Sequence, residues 1–133
     1  MPAAEIPASH RDLLTKTTFA HLATIMKDGS PQVTPVWFDT DGLYVRVNSA
    51  VGRLKDKNIR RDPHVALSIL DPDNPYRYLE IRGRVVDITE TGGAAHIDAL
   101  AKKYMGVYTY PLHQAGVARV IYTIEPLRFS TMG

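Results

Sequence analysis

Hydrophobic and polar residues alternate along much of this chain, and alternation of that kind is typical of β-strands with one buried face. The clearest case is the run from Leu43 to Ser49, where Leu43, Val45 and Val47 alternate with Tyr, Arg and Asn. This period of two predicts a half-buried strand. Comparable runs bring the predicted strands to six, over residues 19–26, 31–39, 43–49, 64–70, 76–89 and 117–129.

Short turns join the first three predicted strands. Asp28-Gly29 is a strong hairpin signal, and a second turn is expected over residues 39–42. Loops this short connect antiparallel neighbours, so these three strands are predicted to form a meander. Within the later strands, Gly83 predicts a bulge or bend, and Pro126 is expected at a sheet edge or near a strand end.

Three helical segments interrupt the strands. Ser9 is predicted to cap a short N-terminal helix with Asp12 at its third position, and residues 91–105 form a second helix that ends at Gly106. A third, strongly basic helix follows the third strand. The fold class is therefore mainly β with short helices, in a six-stranded antiparallel split or closed β-barrel. We expect one domain over residues 1–133, with an N-terminal helical segment over residues 1–17.

Composition narrows the functional classes. The 133 residues are 44% hydrophobic and 23% charged, and no apolar run approaches the ~20 residues that span a bilayer. The N-terminus lacks the features of a signal peptide, so a cytoplasmic protein is expected. The sequence contains no cysteine, which excludes thiolate catalysis and disulfides. A net charge of only +2 argues against general nucleic-acid binding.

Familiar catalytic and nucleotide-binding motifs are missing from the sequence. Neither Gly-x-x-x-x-Gly-Lys-Ser/Thr nor Gly-x-Gly-x-x-Gly occurs, and no nucleophile elbow supports a hydrolase. The five histidines show no metal-ligand spacing, so no metal site is predicted. His21 could face a pocket, but a packed or surface position is favoured.

The basic helix is the first candidate for function. The segment from Ser49 to Pro63 contains small residues and Gly52 and then five cations: Arg53, Lys55, Lys57, Arg60 and Arg61. A helix N-terminus presents unpaired N–H groups and a partial positive charge, which suit a phosphate. The segment is interpreted either as the anion-binding element of a cofactor site or as a solvated surface helix.

The second candidate is Thr34-Pro35-Val36-Trp37, a proline-containing stretch inside a predicted strand. Proline leaves one ladder position without a donor, so this strand is expected to border an edge, a bulge or a ligand. Trp37 is favoured as a core residue over a cofactor contact. A flavin-type ring laid along this strand, with its phosphate at the basic helix, would use both features.

Three motifs resemble those of one family. They are Leu22-Ala-Thr-Ile-Met-Lys-Asp-Gly-Ser-Pro-Gln-Val, Arg53-x-Lys55-x-x-Asn58-Ile-Arg-Arg-Asp-Pro63 and Tyr78-Leu-Glu-Ile-Arg-Gly-Arg-Val. Together they resemble the PPOX class of deazaflavin-dependent reductases. This class is the coenzyme F420-using branch of the pyridoxamine-phosphate-oxidase-like, FMN-binding split-barrel superfamily.

The resemblance implies a homodimer of six-stranded split barrels with cofactor sites at the subunit interface. It assigns the cofactor phosphate to Arg53 and Lys55. Its other implied cofactor-binding residues come from the second and third strands and from the basic helix: Thr34, Pro35, Val36, Asn48, Ser49 and Asn58.

The resemblance also implies a reaction, in which the reduced deazaflavin passes a hydride to an enone, a quinone or a similar conjugated acceptor. Lys57, Arg60 or Arg61 would suit the anionic glutamate tail of that cofactor or would remain in solvent. An FMN-dependent oxidase or flavin reductase, and a non-catalytic deazaflavin carrier, are the alternatives. No catalytic residue is assigned, and the candidate proton donors come from the loop before the last strand: Tyr108, Tyr110 and His113.

Overall fold

A computed structural model describes residues 4–133, which form seven β-strands, one 3-10 helix and two α-helices. Within these residues no helix is long and apolar enough to cross a bilayer. Residues 1–3, part of the expected N-terminal segment, lie outside the described residues. The elements are the 3-10 helix Ala8–Leu14, β1 (Ala20–Ile25), β2 (Pro31–Val36), β3 (Phe38–Thr40), β4 (Val45–Ala50), α1 (Leu54–Arg61), β5 (His64–Asp71), β6 (Asn74–Thr89), α2 (Gly93–Met105) and β7 (Arg119–Met132).

All seven strands belong to one antiparallel sheet in the order β2-β1-β5-β6-β7-β4-β3. The predicted class, mainly β with short helices, is confirmed. β2 and β3 lie at opposite ends of this order although Trp37 alone separates them in the chain. Because one residue joins these two edge strands, the sheet must curl back on itself, as in a split barrel.

The strand count and the meander both need correction. The predicted second strand is broken at Trp37, so that β2 pairs with β1 whereas β3 pairs with β4. The sheet therefore has seven strands rather than six, and its first part consists of two separate hairpins. Val36 and Phe38, on either side of Trp37, are both buried. The alternation of buried and exposed positions therefore continues through Trp37, and the sequence pattern did not reveal the break.

The core is built from the inward positions of the curled sheet. Buried side chains alternate along β5 and β7, as in Leu67 and Ile69 and in Tyr122 and Ile124. Ile59 of α1 adds to the same core. Burying one such side chain contributes roughly 1.5–3 kcal/mol, so this face holds the sheet in its curled form.

Local predictions based on glycine and proline are confirmed. The β6–β7 register shifts at Gly83, where the bulge was expected, and Gly106 ends α2 with a φ of 71°. β7 pairs with β4 only over residues 119–124. Pro126 therefore lies at an edge on that side of β7.

The N-terminal 3-10 helix differs from its prediction at the cap. Pro7 occupies the N-cap position without a side-chain hydrogen bond, and Ser9 Oγ instead lies 2.7 Å from His10 Nδ1. Asp12 binds the guanidinium of Arg77, with the closest N···O distance 2.6 Å. The predicted Ser9 cap is wrong because this long-range ion pair, with the proline before the helix, fixes the segment differently.

Candidate functional site

A cleft of about 200 Å³ opens where the β2–β3 bend faces the start of α1. One wall is apolar and contains Pro35, Val36 and Trp37 from the bend. The other wall is basic and contains Arg53, Lys55 and Arg119. The structure thus brings the two sequence candidates, the proline-containing stretch and the basic helix, to one site.

The start of α1 is fixed by Asp56. Its Oδ2 accepts the N–H of Gly52 at 2.9 Å, and its Oδ1 accepts the hydroxyl of Tyr122 at 2.7 Å. Gly52 has a φ of 92°, a conformation that a residue with a Cβ rarely adopts. Arg53 is the N-cap residue and makes no side-chain capping bond. The turn therefore presents Arg53 and the first N–H groups of α1 together.

The basic wall carries positive charge that no ion pair within the described part of the chain neutralises. Among the ion pairs formed by residues 4–133, none involves Arg53, Lys55 or Arg119. Burial lowers the pKa of Lys55, and the charges of Arg53 and Arg119 lower it further. Burial also lowers the pKa of Arg119, with Arg53 as the next cause. Three neighbouring cations, of which Lys55 and Arg119 have lowered pKa values, make this wall a candidate anion-binding site.

Arg119, the first residue of β7, was not predicted. Its Nε donates to Asn48 Oδ1 at 2.8 Å, and its guanidinium carbon lies 5.4 Å from the centre of the Tyr110 ring. β4 and β7 pair with Asn48 opposite Ile121, which makes Arg119 and Asn48 diagonal neighbours on one face. No local motif marks Arg119, because this register brings it to the site from 71 residues away.

Aromatic rings line the cleft beside the basic wall. Trp37 stacks on Tyr104 with ring centres 5.1 Å apart and an interplanar angle of 5°. Tyr110 meets Trp37 edge to face at 6.0 Å. Trp37 is half-buried and lines the cleft. It therefore combines the two interpretations drawn from the sequence, packing on the protein with one part and facing the cleft with another.

The other predicted cofactor residues occupy different positions. Ser49 is buried on the face of β4 that carries the core residue Val47, and Asn58 is buried under α1 with its Nδ2 donating to Thr24 Oγ1 at 3.1 Å. Thr34 precedes the cleft-lining part of β2, and its hydroxyl is buried without a hydrogen-bond partner in the described residues. Asn48 lines the cleft, but its amide is bonded to protein groups.

The later cations of α1 are directed toward the protein, with one exception. Arg60 Nε binds the Asp56 carboxylate at 3.0 Å. Arg61 Nη1 donates to the carbonyl of Ile25 at 3.3 Å. Lys57 is exposed, and in residues 4–133 its side chain makes no hydrogen bond or ion pair. Fewer cations of this helix are therefore available to a ligand than the sequence indicates.

The loop before β7 borders the cleft through one of the three candidate proton donors. Tyr110 lines the cleft and Tyr108 is 85% exposed. His113 Nε2 lies 2.7 Å from Asp98 Oδ1, which also accepts the N–H of Tyr110 at 2.8 Å. Asp98 thus secures the loop to α2. His21 is exposed on β1, which agrees with the surface position, one of the two that the sequence favours over a pocket.

The fold is that of an antiparallel split barrel, and its cleft places a cluster of three cations beside aromatic side chains. The family model for pyridoxamine 5'-phosphate oxidase matches residues 6–133, and the chain belongs to this family.

Solved structures extend the comparison. An F420 reductase is 42% identical, with a TM-score of 0.86 over 94% of this chain and 98% of that one. The conserved hypothetical protein Rv2991 from Mycobacterium tuberculosis is 27% identical, with a TM-score of 0.77 over 98% and 86% of the two chains. General Stress Protein 26 from Bacillus anthracis, at 16% identity and a TM-score of 0.67 over 91% and 88%, shares the fold.

Proposed function

We propose that this protein is a deazaflavin-dependent oxidoreductase that uses coenzyme F420 to reduce a conjugated organic acceptor. The observation that carries the proposal is the basic wall of Arg53, Lys55 and Arg119 facing the apolar wall at Pro35–Trp37. A flat ring system with a phosphate-bearing side chain matches these two walls. The 42% identity to a structure described as an F420 reductase supports the choice of deazaflavin.

Different residues of the chain would bind different parts of the cofactor. Arg53 and Lys55, with the first N–H groups of α1, would hold the cofactor phosphate. The chain from Pro35 to Trp37 would lie against the ring and exclude water from one face. When bound, the reduced cofactor supplies the hydride, and the protein supplies orientation and electrostatics.

FMN is a second candidate, and the family match is the observation that favours it. FMN has a single phosphate, for which two or three cations are sufficient. Because Arg60 and Arg61 have partners within the protein, the charge of α1 gives little support for a long anionic tail. The preference for F420 depends on the likeness to the F420 reductase.

A homodimer is part of the proposal, since the resemblance implies a cofactor site between two subunits. Large apolar side chains at the cleft and its neighbouring loop are open in the single chain, with Phe19 51% and Leu112 68% exposed. A second copy would cover such side chains. Light scattering coupled to size-exclusion chromatography measures this directly, and a monomeric mass with bound cofactor would contradict it.

The decisive experiment titrates the purified protein with F420 and with FMN while cofactor fluorescence is followed. We expect tighter binding of F420, followed by turnover of an enone or quinone panel with the reduced cofactor. Preferential binding of FMN would replace the proposal with the flavin enzyme. Tight F420 binding without turnover across a broad panel would indicate a carrier.

A further inference from the structure

Asn48 lines the cleft, but its amide has little capacity left for a ligand. Its Nδ2 donates to the Gly93 carbonyl at 2.9 Å and faces His96 Nδ1 at 3.1 Å. Its Oδ1 accepts from Arg119 Nε at 2.8 Å. A primary amide has two N–H donors, and both are used here. The side chain of Asn48 is 8% exposed and held from three directions.

The same bonds fix the tautomer of His96. Because the Asn48 oxygen accepts from Arg119, the amide nitrogen is the atom that faces His96, and His96 Nδ1 must accept. The ring hydrogen is then on Nε2, which lies 3.2 Å from Asp39 Oδ2. This tautomer fits the hydrogen bonds at both ring nitrogens, since Nδ1 accepts from Asn48 and Nε2 donates to Asp39.

Asp39 anchors the far end of this chain of bonds. Arg46 donates to both of its carboxylate oxygens, at 2.9 Å and 3.0 Å. Burial acts to raise the pKa of Asp39, but the hydrogen bonds from His96 and Arg46 outweigh it and lower the pKa. Asp39 therefore remains an anion that orients the imidazole.

The opposite end of the chain is the Arg119 guanidinium. Only its Nε is hydrogen-bonded to the described protein, so both terminal nitrogens are left for a ligand. The guanidinium lines the cleft beside Arg53 and rests near the face of Tyr110. Holding a cation against two others is unfavourable unless an anion binds among them.

We propose that Arg119 is an anion-binding residue of this site and that the Arg46–Asp39–His96–Asn48 chain positions its guanidinium. The inference rests on the proposed function for the identity of the anion, which is the phosphate of the cofactor. Asn48 is then a positioning residue that acts through Arg119 and not a direct cofactor contact.

A double-mutant cycle tests this assignment, with F420 affinity as the measurement. Arg119→Gln removes charged hydrogen bonds and should weaken binding about 10- to 100-fold. Asn48→Ala should weaken binding about tenfold in the parent protein and less than about twofold in the Arg119→Gln background, because coupled residues are not additive. Arg84→Gln, at an exposed strand position outside the cleft, is the matched control and should bind like the parent protein.

A direct measurement on the unaltered protein keeps the test independent of how the variants fold. The Nε–H resonance of Arg119, assigned by its loss in Arg119→Gln, should shift on titration with F420 and with inorganic pyrophosphate. A shift with pyrophosphate but no binding of F420 would support Arg119 as an anion contact and overturn the proposed cofactor. Normal F420 affinity in Arg119→Gln, or full additivity of the two substitutions, would overturn the role assigned to Arg119 and Asn48.

Discussion

Tyr122 donates its buried hydroxyl to Asp56 Oδ1 at 2.7 Å and so joins the first part of β7 to the first turn of α1. Both side chains are almost completely buried, at 0% and 2% exposure. Burial raises the pKa of the Tyr122 phenol, and the adjacent Asp56 carboxylate raises it further. The phenol therefore remains protonated and available as a donor. Through Asp56, the core determines where the Gly52 turn presents Arg53.

Replacing Tyr122 with Phe should lower the free energy of unfolding by about 1.5–3 kcal/mol, the usual contribution of a hydrogen bond to a charged group. Denaturant unfolding followed by tryptophan fluorescence measures this. F420 binding should also weaken, because Asp56 loses one of the bonds that orient it. Tyr44→Phe, at a partly exposed tyrosine in the turn before β4, is the control. An equal loss of stability in that variant would contradict the role assigned to the hydrogen bond between Tyr122 and Asp56.

The phosphate contact is tested on α1 itself. Arg53→Ala with Lys55→Ala should weaken F420 binding by several kcal/mol, at about 1.5–3 kcal/mol for each charged hydrogen bond. Arg84→Ala is the control, because Arg84 is exposed on β6 and lies outside the cleft lining. Fluorescence titration gives both affinities. Equal affinities for the double variant and the parent protein would remove α1 from the site.

Binding should also depend on pH through Lys55. Its pKa is lowered by burial and by Arg53 and Arg119, so the ammonium loses its proton at a lower pH than an ordinary lysine. Affinity for the anionic cofactor should be full below this lowered pKa and should decline as the pH rises through it. Lys55→Arg keeps its charge and should flatten the decline relative to the parent protein. Parallel profiles for the two proteins would show that Lys55 is not the titrating group.

Acid stability should depend on Asp71, which ties the N-terminal segment to the β5–β6 turn. The N–H of Asp73 and the Lys16 ammonium, followed by Arg77, lower the pKa of Asp71 to about 2. Since its reference value is 3.8, its contribution is complete above about pH 4 and is lost as the pH falls toward 2. Asp71→Asn should reduce the loss of stability between pH 4 and pH 2. Asp73→Asn, at an 82% exposed side chain, should keep the parent profile in acid unfolding.

Alanine substitutions at Gly83 and Gly93 should separate effects on packing from effects on cofactor binding. A Cβ at Gly83 would lie 2.6 Å from the Glu125 carbonyl, and one at Gly93 would collide with the Arg119 carbonyl. Each alanine substitution should lower the free energy of unfolding by about 1–3 kcal/mol, the typical cost of overpacking. Only Gly93→Ala should also weaken F420 binding, because it displaces the strand that carries Arg119. Equal effects of both substitutions on binding would contradict this placement of Arg119.

The parts of the fold that the sequence predicted correctly are those set by local chemistry. Asp28 Oδ1 accepts the N–H of Ser30 at 3.0 Å, and Gly29 takes a φ of 88°, as expected for the hairpin turn. The end of α2 at Gly106, where φ is 71°, follows from glycine in the same way. Both depend on a few consecutive residues, whereas the bulge at Gly83 also reflects the close approach of the Glu125 carbonyl.

The features that sequence reasoning missed depend on distant pairings. The predicted second strand breaks at Trp37 because its last part, β3, pairs with β4. The alternation of hydrophobic and polar residues does not indicate which strands pair. Arg119 reaches the cleft only through the β4–β7 register. Asn48 was assigned to the site, but its partners His96 and Gly93 come from a helix that begins more than 40 residues later.

Trp37 occupies the position at which the chain passes from one edge of the sheet to the other. It is also the single tryptophan of the sequence. Joining those edges requires contacts between segments far apart in the chain, which are slow to form because loop closure is entropically costly. Trp37 fluorescence should therefore report the late closure of the barrel during refolding and, in the folded protein, the arrival of a ring in the cleft. The fluorescence of Trp37 would thus report both on the completion of the fold and on the binding of a ligand in the cleft.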